Sequence, residues 1–143
     1  MKKILIYIFI FSVILFSGFQ IKPNLLDGKI FFGKAVEIAS PENDRTPVLM
    51  DEVIVFDKGN VSCGLFKNFS VDKSNYTAEV DGRRAIAIEV IVFSSSFTTV
   101  YNGSEVLIEF TGEVFAGEKL SGNLKIKYFN NKTEEYTIVG ESR

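Results

Sequence analysis

The chain has 143 residues, of which 46% are hydrophobic, enough for one domain to close a hydrophobic core without disulfides. It contains no histidine and a single cysteine, Cys63, so His-based catalytic triads, most zinc sites and an internal disulfide are excluded. The formal net charge of −2 disfavours binding to the phosphates of nucleic acid. We therefore expect no metal and no cofactor.

The N-terminus has the pattern of an export signal. Lys2 and Lys3 precede an apolar run from Ile4 to Phe16, which predicts a hydrophobic signal helix at residues 1–19, with small residues near the cleavage site. Residues 20–25 are predicted to form a tether. Without the two lysines, 14 basic and 18 acidic residues remain, a net charge of −4. An uncleaved membrane anchor is the alternative, because the apolar stretch is barely long enough to span a bilayer.

The remaining residues, 26–143, are predicted to form one β domain. Apolar and polar residues alternate with a period of two, which is typical of strands with one buried face. Turn residues such as Gly59 and the Asp81-Gly82 pair separate the alternating segments. The predicted strands are 29–38, 50–56, 61–65, 75–80, 84–93, 105–114, 120–128 and 134–141. Residues 39–47 are predicted to form a loop over one end of the fold, and 94–104 a polar connector.

Eight short strands without helical crossovers predict an all-β fold, an eight-stranded antiparallel up-and-down meander β-barrel, with a β-sandwich as the alternative. Closure of the barrel would remove exposed strand edges. The strand faces also predict cross-strand pairs in the last two hairpins. These pairs are Val114 with Leu120, Glu109 with Lys125, Ile126 with Tyr136, and Lys127 with Glu135.

Several strand and turn motifs are similar to those of a known group of proteins. These motifs are Leu26–Lys29 before the first strand, Asp51–Gly59, Tyr76–Ala78, Thr111–Val114 and Ser121-Gly122. With them, the chain resembles small exported bacterial proteins with a lipocalin-like or streptavidin-like (calycin-type) β-barrel of unassigned function. The resemblance implies an antiparallel barrel and assigns no functional residue.

Five residues are the candidate ligand-binding residues. Three of them lie on the predicted inner face, where they either fill the barrel or line a pocket into which the tyrosines bring hydroxyl groups. These three are Phe110, Tyr128 and Tyr136. Arg83 and Arg84 follow a hairpin turn, where their guanidinium groups either bind an anion at the barrel mouth or only increase solubility.

The acidic residues and the cysteine do not form a catalytic pattern. Glu105, Glu109 and Glu113 share one strand face opposite the apolar residues, so they are predicted to face solvent rather than to form an acid–base pair. Cys63 lies two residues after Val61 and therefore on the same strand face. We expect it to be a buried apolar side chain rather than a nucleophile. The chain is therefore predicted not to be an enzyme.

The predicted function is that of an exported binding module, periplasmic or secreted. Its partner would be a small apolar ligand in the barrel, or a protein bound through the loops, for example a hydrolase that it inhibits. Four aromatic residues in the connectors are predicted to be exposed and would anchor a protein partner; these are Phe66, Phe69, Phe97 and Tyr101. The alternative is a structural envelope protein that contacts the membrane only through an uncleaved N-terminal helix. The apolar strand 84–93 is compatible with a monomer or a homodimer.

Overall fold

The computed structural model describes residues 24–38, 46–82 and 88–143, which form one nine-stranded antiparallel sheet curled into a nearly closed barrel. The predicted all-β barrel is confirmed at this level, whereas the signal segment and most of the tether lie outside the described residues. The strands are β1 (Ile30–Glu37), β2 (Leu49–Asp57), β3 (Asn60–Ser62), β4 (Ser74–Asn75), β5 (Thr77–Val80), β6 (Val90–Tyr101), β7 (Ser104–Phe115), β8 (Lys119–Tyr128) and β9 (Thr133–Ser142). In the described part of the chain they are joined by one short helix, α1 (Gly64–Lys67).

The strand order brings the two ends of the sheet together. The order is β4-β3-β2-β1-β9-β8-β7-β6-β5, and every neighbouring pair is antiparallel. The terminal strands β4 and β5 are consecutive in the chain and separated by Tyr76 alone. The Ser95 hydroxyl of β6 also donates a hydrogen bond of 2.7 Å to the carbonyl of Asn75 in β4. One sheet therefore curls on itself, unlike the two packed sheets of the alternative sandwich.

The predicted count of eight strands differs from the nine that the structure contains, because the segment predicted as one strand at 75–80 changes partner at Tyr76. Before this residue β4 pairs with β3, and after it β5 pairs with β6. The Tyr76 backbone N–H donates to the carbonyl of Gly59, and its hydroxyl donates to Asp27. Tyr76 is thus held by groups outside the β5–β6 ladder, which interrupts the strand.

The prediction of a connector at 94–104 is wrong, because β6 and β7 form a continuous hairpin of 12 residues on each side. Its turn is Asn102-Gly103, with φ values of 50° and 78°, the left-handed conformation that two-residue hairpin turns need. Phe93, Ser95 and Phe97 alternate towards the interior. The serines and threonines in this segment therefore occupy a regular strand rather than a loop.

The third predicted strand, 61–65, is also too long, because the chain enters α1 after Ser62. The Glu52 carboxylate is 4% exposed and accepts a hydrogen bond of 2.6 Å from the backbone N–H of Gly64, the first residue of α1. Burial raises the pKa of Glu52. Helix α1 places Phe66 inside the barrel, and Phe69 after it is 5% exposed. The prediction that these two aromatics are exposed for a protein partner is therefore wrong.

Packed aromatic rings fill the barrel interior. Phe110 is fully buried, and its ring centre lies 5.1 Å from that of Phe93 and 6.1 Å from that of Phe66, in edge-to-face geometry. Phe56 makes similar edge-to-face contacts with the rings of Phe31, Tyr76 and Phe93. Cys63 is buried as predicted, and burial raises the pKa of its thiol to about 12.

The end of the barrel near Asp27 is closed by the segment that precedes β1. Leu26 is fully buried, and the Asp27 carboxylate accepts hydrogen bonds of 2.9 Å from the Tyr76 hydroxyl and from the backbone N–H of Gly59. These bonds, led by that from Gly59, lower the pKa of Asp27 despite partial burial. This contact network fixes the N-terminal segment against the β2–β3 turn.

The registers of the last hairpins are partly as predicted. Val114 faces Leu120 and Glu109 faces Lys125, which confirms the β7–β8 register. In β8–β9 the pairing is displaced by two residues, so that Tyr136 faces Leu124 and Lys125 faces Glu135. The predicted pairs of Ile126 with Tyr136 and Lys127 with Glu135 are therefore wrong, although the inward and outward faces are unchanged. Lys125 and Glu135 form an ion pair of 2.6 Å on the outer surface.

Candidate functional site

A cavity of about 480 Å³ lies at the end of the barrel opposite Asp27. We call it the mouth. It is formed where β1, β6 and β8 end, where β2 and β9 begin, and where α1 enters the barrel. Its lining residues are Glu37, Val48, Met50, Leu65, Asn68, Phe69, Tyr101, Ile126, Tyr128, Glu134 and Tyr136. Eight of these eleven residues are aliphatic or aromatic, but most of the surface that faces the cavity is polar.

The structure brings together two of the five predicted ligand-binding residues. Tyr128 and Tyr136 both line the mouth. Phe110 does not, because it is packed between other rings in the filled interior. Arg83 and Arg84 lie outside the described residues. The three aromatic residues therefore do not line a single pocket, and Phe110 has one of the two roles predicted for it, filling the barrel.

Glu134 is the polar centre of the mouth. It shares the inward-facing side of β9 with Tyr136 and Ile138, and its side chain is only 14% exposed. Its Oε2 atom accepts hydrogen bonds from the hydroxyls of Tyr128 at 3.2 Å and of Tyr136 at 3.4 Å. Burial, followed by the nearby Glu134 carboxylate, raises the pKa of Tyr128. These contacts hold the Glu134 carboxylate in a fixed position against two aromatic rings.

Glu37 places a second carboxylate at the mouth. It is the last residue of β1, it is 7% exposed, and it lies directly across the sheet from Tyr136. Sequence reasoning missed both Glu37 and Glu134, although each has the parity of inward-facing neighbours such as Ala35 and Ile138. No lysine or arginine is among the described residues that line the cavity. The mouth is therefore acidic as well as aromatic.

A lysine ammonium group lies at the rim of the mouth. Lys132, in the turn between β8 and β9, places its Nζ atom 2.7 Å from Oε1 of Glu134 and 5.4 Å from the ring centre of Tyr128. The Lys132 side chain is 51% exposed. One ammonium group is thus bound by a carboxylate and an aromatic ring that both line the cavity, the two kinds of group that attract organic cations.

A second concavity, of about 580 Å³, lies on the outer surface around β1 and β9. Its walls include Phe32 and Val139, which are 40% and 49% exposed. Its charged groups are exposed to solvent, and the Arg143 guanidinium lies 5.1 Å from the Phe32 ring centre; these groups are Lys34, Lys119, Glu141 and Arg143. The mouth is the better candidate site, because its polar groups are buried and hydrogen-bonded around one space.

Comparisons with known proteins do not assign the chain to a family. No family model matches it, and neither a curated protein nor a solved structure does so.

Within residues 24–38, 46–82 and 88–143, no three histidine, cysteine, aspartate or glutamate side chains are grouped as metal ligands would be. The same residues contain no helix that is long and apolar enough to cross a membrane.

Proposed function

We propose that this chain is a non-enzymatic binding protein of the lipocalin-like kind, whose barrel mouth binds a small organic molecule. The observation that carries the proposal is the cavity of about 480 Å³ at the mouth. Ligand pockets in proteins have volumes of roughly 300 to 1,000 Å³, apolar walls and a small number of converging polar groups. The mouth has this size, and its lining combines eight aliphatic or aromatic residues with converging carboxylate and hydroxyl groups.

The proposed ligand lies at the mouth rather than deep in the barrel. Phe66, carried by α1, packs against Phe97 and Phe110 and occupies the space below the mouth. The bound molecule would therefore contact the side chains of Met50 and Leu65 at its base, with Tyr101 and Tyr128 at its sides. A barrel filled by its own side chains leaves no room for a ligand at its centre.

Three observations support binding rather than catalysis. The sequence has no histidine to act as a general base near neutral pH. The Cys63 thiol is buried and its pKa is raised to about 12, so it carries no thiolate nucleophile at neutral pH. The Glu134 carboxylate is held by two tyrosine hydroxyls and by Lys132, an arrangement suited to a fixed anchor.

The proposed location, exported and either periplasmic or secreted, depends on the signal-like pattern of residues 1–19. Mass spectrometry of the mature protein from the native host tests it. A mature N-terminus near Phe19 is expected. An intact Met1 would favour the alternative, a structural envelope protein held at the membrane by its N-terminal helix.

A fluorescence titration with N-phenyl-1-naphthylamine, a neutral apolar probe, tests the proposed ligand site. We expect saturable enhancement in the wild-type protein. Asn68→Trp, which places an indole in the mouth, should weaken binding about tenfold or more. Ser96→Trp is the matched control, because Ser96 is exposed on the outer face of β6 and does not line the mouth. Unsaturable binding, or equal affinities in the two variants, would rule out a ligand site at the mouth.

A second candidate function is binding to a protein through the outer face of β1, β2 and β9. Exposed aliphatic and aromatic side chains lie together on this face, and contiguous apolar patches of this kind mark interaction surfaces. They include Ile30, Phe32, Leu49, Val53 and Val139. Sedimentation equilibrium tests the homodimer version: the wild type should self-associate and Val53→Lys should be monomeric. A monomeric wild type would exclude self-association.

A further inference from the structure

We infer that the molecule bound at the mouth is an organic cation, with an ammonium or guanidinium group on an apolar body. This inference rests on the proposed function, since it names the ligand class of the same cavity. Two carboxylates alone would not define a site. Here they line a cavity with aromatic walls, and a cation of the protein itself already contacts that wall.

The charges of the mouth favour a cation over an anion. Glu37 is 7% exposed, and the side chain of Glu134 is 14% exposed. Both residues line the cavity. The described lining residues include no lysine or arginine, while the Lys132 ammonium group reaches Glu134 from the rim and Glu37 has interactions of its own. An anionic ligand would add negative charge beside two carboxylates, whereas the ammonium group of a cationic ligand could take the place of Lys132 at Glu134.

Lys132 shows how a cation would be held. Its ammonium group pairs with Oε1 of Glu134 and lies over the ring of Tyr128. The carboxylate is mostly buried and accepts two hydroxyl hydrogen bonds, whereas the lysine side chain is half-exposed and flexible. The ammonium group of a ligand could therefore replace that of Lys132, which would turn outward into water.

The rings around the carboxylate suit the rest of such a ligand. The Phe69 ring centre lies 5.1 Å from that of Tyr101 and 6.4 Å from that of Tyr128, so three rings form a continuous wall. Ring faces attract organic cations, most strongly when the cation is removed from water. Met50 and Leu65 complete an apolar surface for the body of the ligand.

Three compounds of matched shape test the charge preference by displacing N-phenyl-1-naphthylamine. These are 2-phenylethylamine, which is protonated at neutral pH, 2-phenylethanol, which is neutral, and phenylacetate, which is anionic. We expect the amine to bind about tenfold more tightly than the alcohol, and phenylacetate to bind most weakly.

Single substitutions locate this preference. Glu134→Gln should remove the preference for the amine over the alcohol. Lys132→Met removes the internal competitor, so it should strengthen amine binding about threefold and leave alcohol binding unchanged. Lys125→Met is the matched control, because it breaks an ion pair of similar length on the outer face. It should change neither affinity.

The outcomes separate the two proposals. If the amine and the alcohol displace the probe equally well and Asn68→Trp abolishes both, the cation inference is overturned and the proposed binding function stands. If no compound displaces the probe and Asn68→Trp binds it like the wild type, both are overturned. A selective gain in amine affinity in Lys132→Met supports both.

Discussion

Gly122→Ala tests whether the barrel interior is filled, which decides whether a ligand can enter beyond the mouth. A Cβ atom added at Gly122 would lie 2.9 Å from Cε2 of Phe110 and 3.1 Å from the carbonyl oxygen of Thr111. Both distances are shorter than ordinary van der Waals contact, so the ring must move within a packed core. Overpacking of this kind typically costs about 1–3 kcal/mol. We expect the free energy of unfolding to fall by about 2 kcal/mol.

A double-mutant cycle measured by urea unfolding identifies the cause of that loss. Phe110→Leu should relieve the clash, so the two substitutions together should destabilise the protein by about 1 kcal/mol less than the sum of their separate effects. Gly112→Ala is the control, since its Cβ would meet the backbone carbonyl oxygen of Ser121 at 2.6 Å, a contact that Phe110→Leu cannot relieve. A neutral or stabilising Gly122→Ala would refute the filled interior and restore a central cavity.

Two further predictions concern titrating groups. Asp27→Asn should lower the free energy of unfolding at pH 7 by about 1.5–3 kcal/mol, because it weakens hydrogen bonds to a charged acceptor. The folded-state pKa of Asp27 lies below its ordinary 3.8, so this contribution is present above that pH and disappears as the pH falls through the folded pKa. Urea unfolding at pH 7 and pH 2.5 checks it, and an equal loss at both would contradict it. Glu134→Gln should lower the pKa of Tyr128 but leave it raised, since burial is the larger cause. The tyrosinate absorbance at 295 nm, with Tyr128→Phe to identify the band, measures this shift; an unchanged titration would contradict it.

The β2–β3 and β7–β8 hairpins could be predicted from the sequence because their turns depend on local chemistry. The Lys58-Gly59 turn has two positive φ values, as two-residue hairpin loops require. The β7–β8 register also follows from local patterns, and it pairs Glu109 with Lys125. The β8–β9 register could not be fixed in this way, because a slip of two residues leaves every side chain on the same face.

Two of the features that sequence reasoning missed depend on long-range contacts. The strand 75–80 divides at Tyr76 because Asp27 and Gly59, distant in sequence, bind that residue. Likewise, α1 forms where the Glu52 carboxylate of β2 accepts the N–H of Gly64. No local pattern reveals such partners, and a short apolar segment can be a strand or a helix.

Only part of the candidate site could be predicted from the sequence, for a related reason. Tyr128 and Tyr136 could be placed on the inner face by alternation alone. The same alternation places Glu134 and Glu37 inside, but charged residues on strands are usually exposed, and the predictions treated strand glutamates as solvent-facing. At these two positions the strand alternation predicts an inward-facing side chain, whereas the residue type predicts an exposed one. The alternation was correct. Buried charges that break the usual pattern are the residues for which a functional reason is expected.

The position of these charges follows from how the barrel is filled. Towards Asp27, Leu26 and Tyr76 close the interior, and in the middle Phe66 and Phe110 occupy it. Apolar side chains inside the barrel contribute to stability, whereas a carboxylate there must be desolvated and needs a compensating hydrogen bond, such as the one that Glu52 accepts from Gly64. At the mouth, two tyrosine hydroxyls and the Lys132 ammonium group bind the Glu134 carboxylate, whose side chain is 14% exposed. A carboxylate is therefore tolerable at this end of the barrel, where the inferred cationic ligand would reach it from solution.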